Sequence, residues 1–294
     1  MALAVSSALY AIGYVLARYI DPASGAGMFT AQAMFFSWLT LFLFAKSPSL
    51  RKPTFAGWAA MAFNGVAGPF TVYLIMLGSM SVTPALSSLI VISNVLFIAL
   101  IARALGRKRF VGAQAPALAV GFAGVAYISA AHGALYGDPR GTLFLTLASL
   151  MIAASTIVIE RPLAEVGWAP VSRWVSAISA VTAVLAIAIQ GGLHFHSPSQ
   201  TGLAIIMGVF SLGAPGILYS RGMSILGSAD TAVFKLLIPF FSLLYGAAIF
   251  REIPDPGSFA AGLLVAGALM AYHYSGHVRA ETVPDEKLGA QEEG

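Results

Sequence analysis

Cysteine is absent from the 294 residues, which removes disulfides, thiolate metal sites and cysteine nucleophiles together. Charge is scarce as well: Asp, Glu, Lys and Arg make up 10% of the chain, against 58% hydrophobic residues and a mean hydropathy of +0.84. That balance excludes an ordinary soluble domain, in which about a quarter of residues are charged. The motifs of bond-breaking chemistry are missing too. There is no His-Glu-x-x-His, no Gly-x-Ser-x-Gly elbow, no phosphate-cradling glycine loop and no pair of carboxylates within an apolar run, so neither catalysis nor a cofactor is expected. His194 and His196 stand in a loop without further ligands, so no metal site is expected. The short basic run Gly106–Phe110 is explained by topology and lipid headgroups better than by nucleic acid.

What fills the chain is a series of apolar runs of roughly 20 residues, the length that crosses a hydrocarbon core as a helix. Breaking them at Pro, Gly and charge clusters gives ten spans, at 3–20, 28–45, 55–79, 84–102, 111–130, 140–160, 169–190, 201–224, 229–250 and 257–274. The expected fold is therefore an all-α integral membrane protein embedded in a lipid bilayer. The first run opens at Ala2 without a basic leader and reads as a retained helix. After Ser275 the chain turns polar and acidic and reads as a disordered tail, 275–294. With both termini inside, twelve Lys and Arg residues fall on the cytoplasmic side, against Arg18, Arg140 and Arg251 outside. A multi-pass inner-membrane protein with cytoplasmic termini follows. Lys235 belongs to neither side.

The second half repeats the first. Gly68–Tyr73 aligns with Ala214–Tyr219, which pairs Pro69 with Pro215 and Tyr73 with Tyr219. A shift of 145 pairs Asn94 with Pro239, Gly112 with Gly257 and Tyr127 with Tyr272. The series implies a duplicated five-helix unit, 1–132 and 133–274. An odd helix count inserts the second copy from the opposite side, the inverted-repeat plan from which secondary transporters build a midplane site. Two internal halves make a monomer sufficient and remain compatible with a dimer.

Ten spans as five plus five, the turn Gly78–Ile90, its counterpart Gly222–Glu252 and the Gly-rich Gly257–Tyr272 resemble the EamA-type members of the drug/metabolite transporter superfamily. The resemblance covers about 3–274 and implies gradient-driven movement of a small-molecule substrate by alternating access. Bacterial aromatic amino-acid exporters are the nearest functional type, and export is implied by the family, not by residues. Two contrasts narrow the cargo. Plastid phosphate translocators carry a Lys-Arg pair in the corresponding helix, whereas this chain has Lys235 followed by Leu236; a carboxylate suits a single cation better than a doubly charged phosphate does. Small multidrug relatives exchange protons through a glutamate in the first helix, and span one has no acid.

A polar side chain in lipid is costly, so it should face the bundle interior. In span nine, Thr231, Lys235, Pro239 and Ser242 share one stripe at helical spacing; in span four, Ser87 and Asn94 lie seven apart. Span three offers Asn64 and Thr71, with Pro69 and Tyr73 on a neighbouring strip; span eight offers Ser211, Pro215 and Tyr219. Span one adds Ser7, Tyr10 and Tyr14, and span six Ser149 and Thr156. These form the expected lining of one cavity, with Lys235, Asn94, Asn64, Ser87, Tyr10, Tyr14, Tyr73, Tyr219 and Thr231 as substrate-binding candidates. For Ser and Thr the alternative is short hydrogen bonds that glue helices together; for tyrosines near span ends it is the interfacial aromatic belt. Pro69, Pro215 and Pro239 each remove a backbone hydrogen bond and are candidate hinges or static kinks. Ala117 with Gly121, and Gly262 with Ala266, read as close-packing pairs.

Three readings of Lys235 stay open: snorkelling to the interface, pairing with Asp230 or Glu160, and meeting an anionic group on the cargo. The expected function is export of an amino acid, of aromatic type by the resemblance, or of a related carboxylate. A carrier of phosphorylated metabolites is the runner-up. A passive channel or membrane scaffold is the alternative of another class.

Overall fold

The computed structural model describes residues 1–21, 25–46, 52–104, 139–189, 197–226 and 237–251, with scattered positions in 115–123, 231–235 and 256–274. The described elements are all helical. They are α1 (Ala2–Leu16, continued by a 3₁₀ turn Ala17–Tyr19), α2 (Ala26–Phe44), α3 (Phe55–Ser79), α4 (Pro84–Ile92), α5 (Asn94–Ala104), α6 (Pro139–Val166), α7 (Trp168–Ile189), α8 (Pro198–Ile206), α9 (Ala214–Leu226) and α10 (Leu237–Phe250). A π-helical segment, Met207–Gly213, joins α8 to α9. Helices are the required solution here, because hydrocarbon offers no water to satisfy backbone polar groups.

Local sequence sets several starts. Thr54, Thr83 and Ser197 cap α3, α4 and α8 by accepting from Gly57 N (3.1 Å), Leu86 N (3.4 Å) and Gln200 N (3.4 Å). Pro84 and Pro198 follow two of these caps, where a missing N–H is no loss. Six stretches, Ala2–Tyr19, Ala26–Phe44, Phe55–Ser79, Pro139–Val166, Trp168–Ile189 and Pro198–Ile225, are long and apolar enough to cross a membrane. Their outward faces carry exposed Phe35, Phe42, Phe63, Phe70, Val181 and Leu185, the surface that lipid would cover.

Three spans depart from simple helices. Span four is broken at Ser93 between α4 and α5, where Ser93 N bonds Ile90 O (3.2 Å) and Leu96 N bonds Ser93 O (2.9 Å), both across three residues. Span eight contains the π segment. Span nine is broken at Lys235, which sits in a turn before α10. Span six is longer than its apolar run, since α6 carries on through buried Pro162 to Val166. Spans five and ten, the basic run 106–110, His194, His196, Gly262, Ala266 and the tail lie wholly or largely outside the described residues.

The helices pack in pairs. α1 packs on α9 and α10, α6 on α3 and on α4–α5, α2 on α7 and the π segment, α3 on α7, and α4 on α10. At two points the backbone of another helix comes close enough to require glycine: a Cβ on Gly78 would meet Gly141 O at 2.7 Å as well as Leu145 Cγ at 2.5 Å, and one on Gly208 would meet Ala33 O at 2.5 Å. The first pins α3 to α6 and the second pins the π segment to α2. Gly121 likewise lies beside Leu96 and Ala268, as the close-packing reading expects.

Candidate functional site

A cavity of about 370 Å³ lies between these helices, lined by residues of α1, α2, α3, α4, α5, α6, α7, the π segment, α9 and the Lys235 turn. Its walls are mainly apolar. Met34, Met76, Met207 and Met223 contribute flexible thioethers, and Ile75, Ile92, Ile152 and Ile159 contribute branched chains. Polar groups are few: the phenols of Tyr10, Tyr14 and Tyr219, the amides of Asn64 and Asn94, the hydroxyls of Thr71, Ser88, Ser155, Thr156, Ser179 and Ser211, and the Lys235 ammonium.

Lys235 owes its position to a backbone break. Pro239 has no N–H to give the Lys235 carbonyl, and Ile238 N takes that place at 2.9 Å in a tighter turn. The preceding carbonyl, of Phe234, accepts from Ser7 Oγ at 2.6 Å; Leu3 O, at 3.1 Å, is the alternative acceptor within α1. A side chain of α1 thus replaces a helical bond that the break removes, as buried irregular backbone in a membrane requires. The turn sets Lys235 Nζ 4.1 Å from the centre of the Tyr219 ring, a cation–π contact. Tyr10 meets the Tyr219 ring edge-on at 6.4 Å, so Lys235, Tyr219 and Tyr10 form one stack on the cavity wall.

The two asparagines are anchored locally, Asn64 within α3 and Asn94 by the end of α4. Asn64 Nδ2 donates to Ala60 O at 3.0 Å, and Asn94 Nδ2 to Val91 O at 2.6 Å. Around the π segment, Ser211 Oγ donates to Tyr10 O (3.3 Å) and Ser6 Oγ to Pro215 O (3.0 Å), tying α1 to the widened turns before Pro215. A Cβ on Gly13 would collide with Ser211 Oγ and the Met207 methyl. The other helix break is bound in a similar way: Ser93 shares a hydrogen bond with Ser149 of α6 at 3.0 Å.

Six of the nine expected binding residues thus meet at the cavity: Lys235, Asn94, Asn64, Tyr10, Tyr14 and Tyr219. Three do not. Tyr73 is nine residues from Asn64, about 180° around an α-helix, and packs instead with the cluster at the end of α1 and the start of α2. Ser87 is fully buried against Val82 O, while its neighbour Ser88 lines the cavity. The two serines are adjacent, about 100° apart around the helix, so the face that turns Ser88 to the cavity turns Ser87 into the packing. Thr231 is fully buried and is not among the described residues that line the cavity. Among the candidate hinges, Pro69 is buried within an unbroken α3, Pro215 follows the π segment and Pro239 follows the Lys235 turn.

Pairing of Lys235 is resolved in part. No ion pair joins it to another described residue, Glu160 is exposed, and Asp230 lies outside the described residues. The methionines, Gly13, Ser88, Ser155 and Ser179 were not anticipated. Ser179 had a signal, since Ser176 and Ser179 are buried hydroxyls in an apolar helix; the methionines carry none that separates a cavity wall from core.

Residues 139–272 match the family model described as the EamA-like transporter family. The EamA-like segment runs from α6 through α10 and includes Tyr219 and Lys235, whereas Tyr10, Tyr14, Asn64 and Asn94 come from outside it. No curated protein matches the chain. Fifteen chains of solved structures do. One, described only as the crystal structure of a protein, is 17% identical with a TM-score of 0.64, over 92% of this chain and 95% of its own. That is a likeness of fold across nearly the whole length of both.

Proposed function

We propose that this chain is a secondary transporter of the inner membrane that exports a small carboxylate-bearing metabolite, an amino acid or a related carboxylate, by alternating access to the cavity. The observation that carries the reading is Lys235: an ammonium on the wall of a mainly apolar cavity, at a broken helix, with a tyrosine face and no described carboxylate beside it. A charge placed so deep in a membrane protein is costly unless it meets an anion during function. The EamA-like match over 139–272 supports transport of a small solute.

The packing supports two inverted five-helix repeats, 1–132 and 133–274. Moving five spans along the chain turns the contact of α1 with α9 into that of α6 with α3, and the contact of α1 with α10 into that of α6 with α4–α5. It also turns the contact of α2 with the π segment into that of α7 with α3, and leaves α2 with α7 and α4 with α10 unchanged. Such an exchange is what a two-fold relation between halves produces. The candidate hinges Pro215 and Pro239 adjoin the two irregular segments at the cavity, which favours them over Pro69. A single cation disfavours phosphate esters relative to carboxylates.

In proteoliposomes, Lys235→Ala should reduce uptake of a labelled carboxylate at least about tenfold, a change worth about 1.4 kcal/mol, while Lys235→Arg retains saturable transport and counterflow. Equal rates in the two variants would leave the lysine a snorkelling residue. Flux without saturation or counterflow would make the protein a channel.

A further inference from the structure

Resting on the reading of the cavity as a transporter's binding site, the charge inventory of its walls points to a narrower cargo. We infer that the site is built for a monoanionic carboxylate with an apolar body and no ammonium group, and selects against the zwitterionic amino acid of the same shape.

A zwitterion brings a second positive charge into a space that already holds one. An amino acid site therefore needs a carboxylate, a free aromatic face or free backbone carbonyls at a broken helix for the α-ammonium. Among the described residues lining the cavity none is Asp or Glu, and Lys235 is the one charged side chain. The sequence extends this to the whole first half: no acidic residue occurs between Asp21 and Asp138, so nothing from α2 to α5 or span five can supply one. In the second half Glu160 is exposed, and Glu165 is engaged by Thr54 and Arg161. Asp230, Glu252 and Asp255 lie outside the described residues, at least five positions from Lys235 in the chain. The Tyr219 face is met by the Lys235 ammonium, Tyr10 is packed edge-on against that ring, and Tyr14 is buried in the packing. The carbonyls at the breaks already accept: Phe234 O from Ser7, Lys235 O from Ile238 N, Ile90 O from Ser93 and Val91 O from Asn94. The amide oxygens of Asn64 and Asn94 are neutral acceptors and do not offset a second cation. In an apolar cavity the repulsion between like charges is poorly screened, so the zwitterion is penalised relative to the monoanion.

The rest of the wall agrees. One cation matches one negative charge and no more. Methionine and isoleucine side chains suit an apolar body of varied shape, and about 370 Å³ admits a small molecule only.

The test uses the purified full chain and ligands that differ only in charge: 3-phenylpropionate, phenylalanine and phenethylamine, read by thermal shift and by competition in proteoliposomes. The expected result is half-maximal stabilisation by 3-phenylpropionate at a concentration at least about tenfold below that for phenylalanine, lost in Lys235→Ala. Asn94→Asp, with Ser88→Asp as the second variant, should move the preference toward phenylalanine by supplying the missing carboxylate. Phenylalanine binding as tightly as 3-phenylpropionate, both dependent on Lys235, would overturn the selectivity and leave the carboxylate transporter standing. Binding of phenethylamine alone would overturn both. A silent aryl series, repeated in silence with 4-methylpentanoate and leucine, would also overturn the inference.

Discussion

The contact between Lys235 and Tyr219 has two roles that can be separated. In the ligand-free protein an ammonium at 4.1 Å from a ring centre is partly neutralised by the quadrupole of the ring, without the rigid ion pair that a carboxylate would form. An anion can then take the ammonium without first breaking a salt bridge. Tyr219→Leu should lower the unfolding midpoint of the ligand-free protein by the equivalent of about 0.5–2 kcal/mol, and Tyr219→Phe should keep most of the stability because the face remains. The cost of Tyr219→Leu should shrink in a Lys235→Met background, since the cycle isolates the pair. A full cost in that background would make Tyr219 a packing residue only. The residue types of this site were legible from the sequence: a lysine and two asparagines in apolar runs are expensive to bury and point inward wherever they occur. Tyr73 shows the limit, because its apolar ring satisfies a core as readily as a cavity and only its angle from Asn64 decides between them.

The breaks in the helices set where these groups stand. At span nine, Pro239 removes the bond to the Lys235 carbonyl, Ile238 closes a tighter turn and Ser7 takes the Phe234 carbonyl. Pro239→Ala would return an N–H and allow α10 to wind back through Lys235, swinging the ammonium away from Tyr219. The expected outcome is transport reduced at least about tenfold together with stability unchanged or raised, by up to the ~3 kcal/mol that an interior proline costs. Loss of stability in step with transport would instead mean that the break holds the fold together. Proline announces this break in the sequence, and Pro215 stands just past the π segment in the same way; nothing comparable announces the third. Ser93 interrupts span four with no Pro or Gly at the site. Ser87 shows what spacing leaves open, since it and Ser88 are adjacent hydroxyls and only the packing decides which of them faces the cavity. Six spans were legible because bilayer thickness fixes apolar length, while the turns inside spans are set by contacts between helices distant in sequence, such as Ser7 with Phe234 and Ser93 with Ser149.

At the scale of the molecule, the proposed halves are clasped at both ends of the cavity. At one end Glu165 of α6 accepts from Thr54 Oγ1 (2.8 Å) and Thr54 N (3.0 Å) at the start of α3 and pairs with Arg161 (2.9 Å), and Arg173 of α7 donates to Phe42 O of α2 (3.2 Å). At the other, Phe250 of α10 stacks on Tyr19 (5.4 Å) and lies under Arg18 (5.4 Å), while Gln200 bonds Tyr19 O (3.1 Å). These ends are far apart: Met76, near the end of α3, packs with Ala17 and Ile20, whereas Thr54 precedes its first residue, and 25 residues of helix span about 37 Å. Alternating access requires one clasp to open while the other holds; a channel or a scaffold has no such need. Because the chain has no cysteine, the pair Thr54→Cys with Glu165→Cys can be joined by a short bifunctional thiol reagent without a prior cysteine-free background. Cross-linking should abolish transport of a carboxylate, restored by cleaving the link, while the cavity still binds it in a thermal-shift assay; each single-cysteine variant treated with the same reagent should continue to transport. Undiminished flux through the cross-linked protein would show that this end never opens and would remove alternating access as its mechanism, whatever the cavity binds.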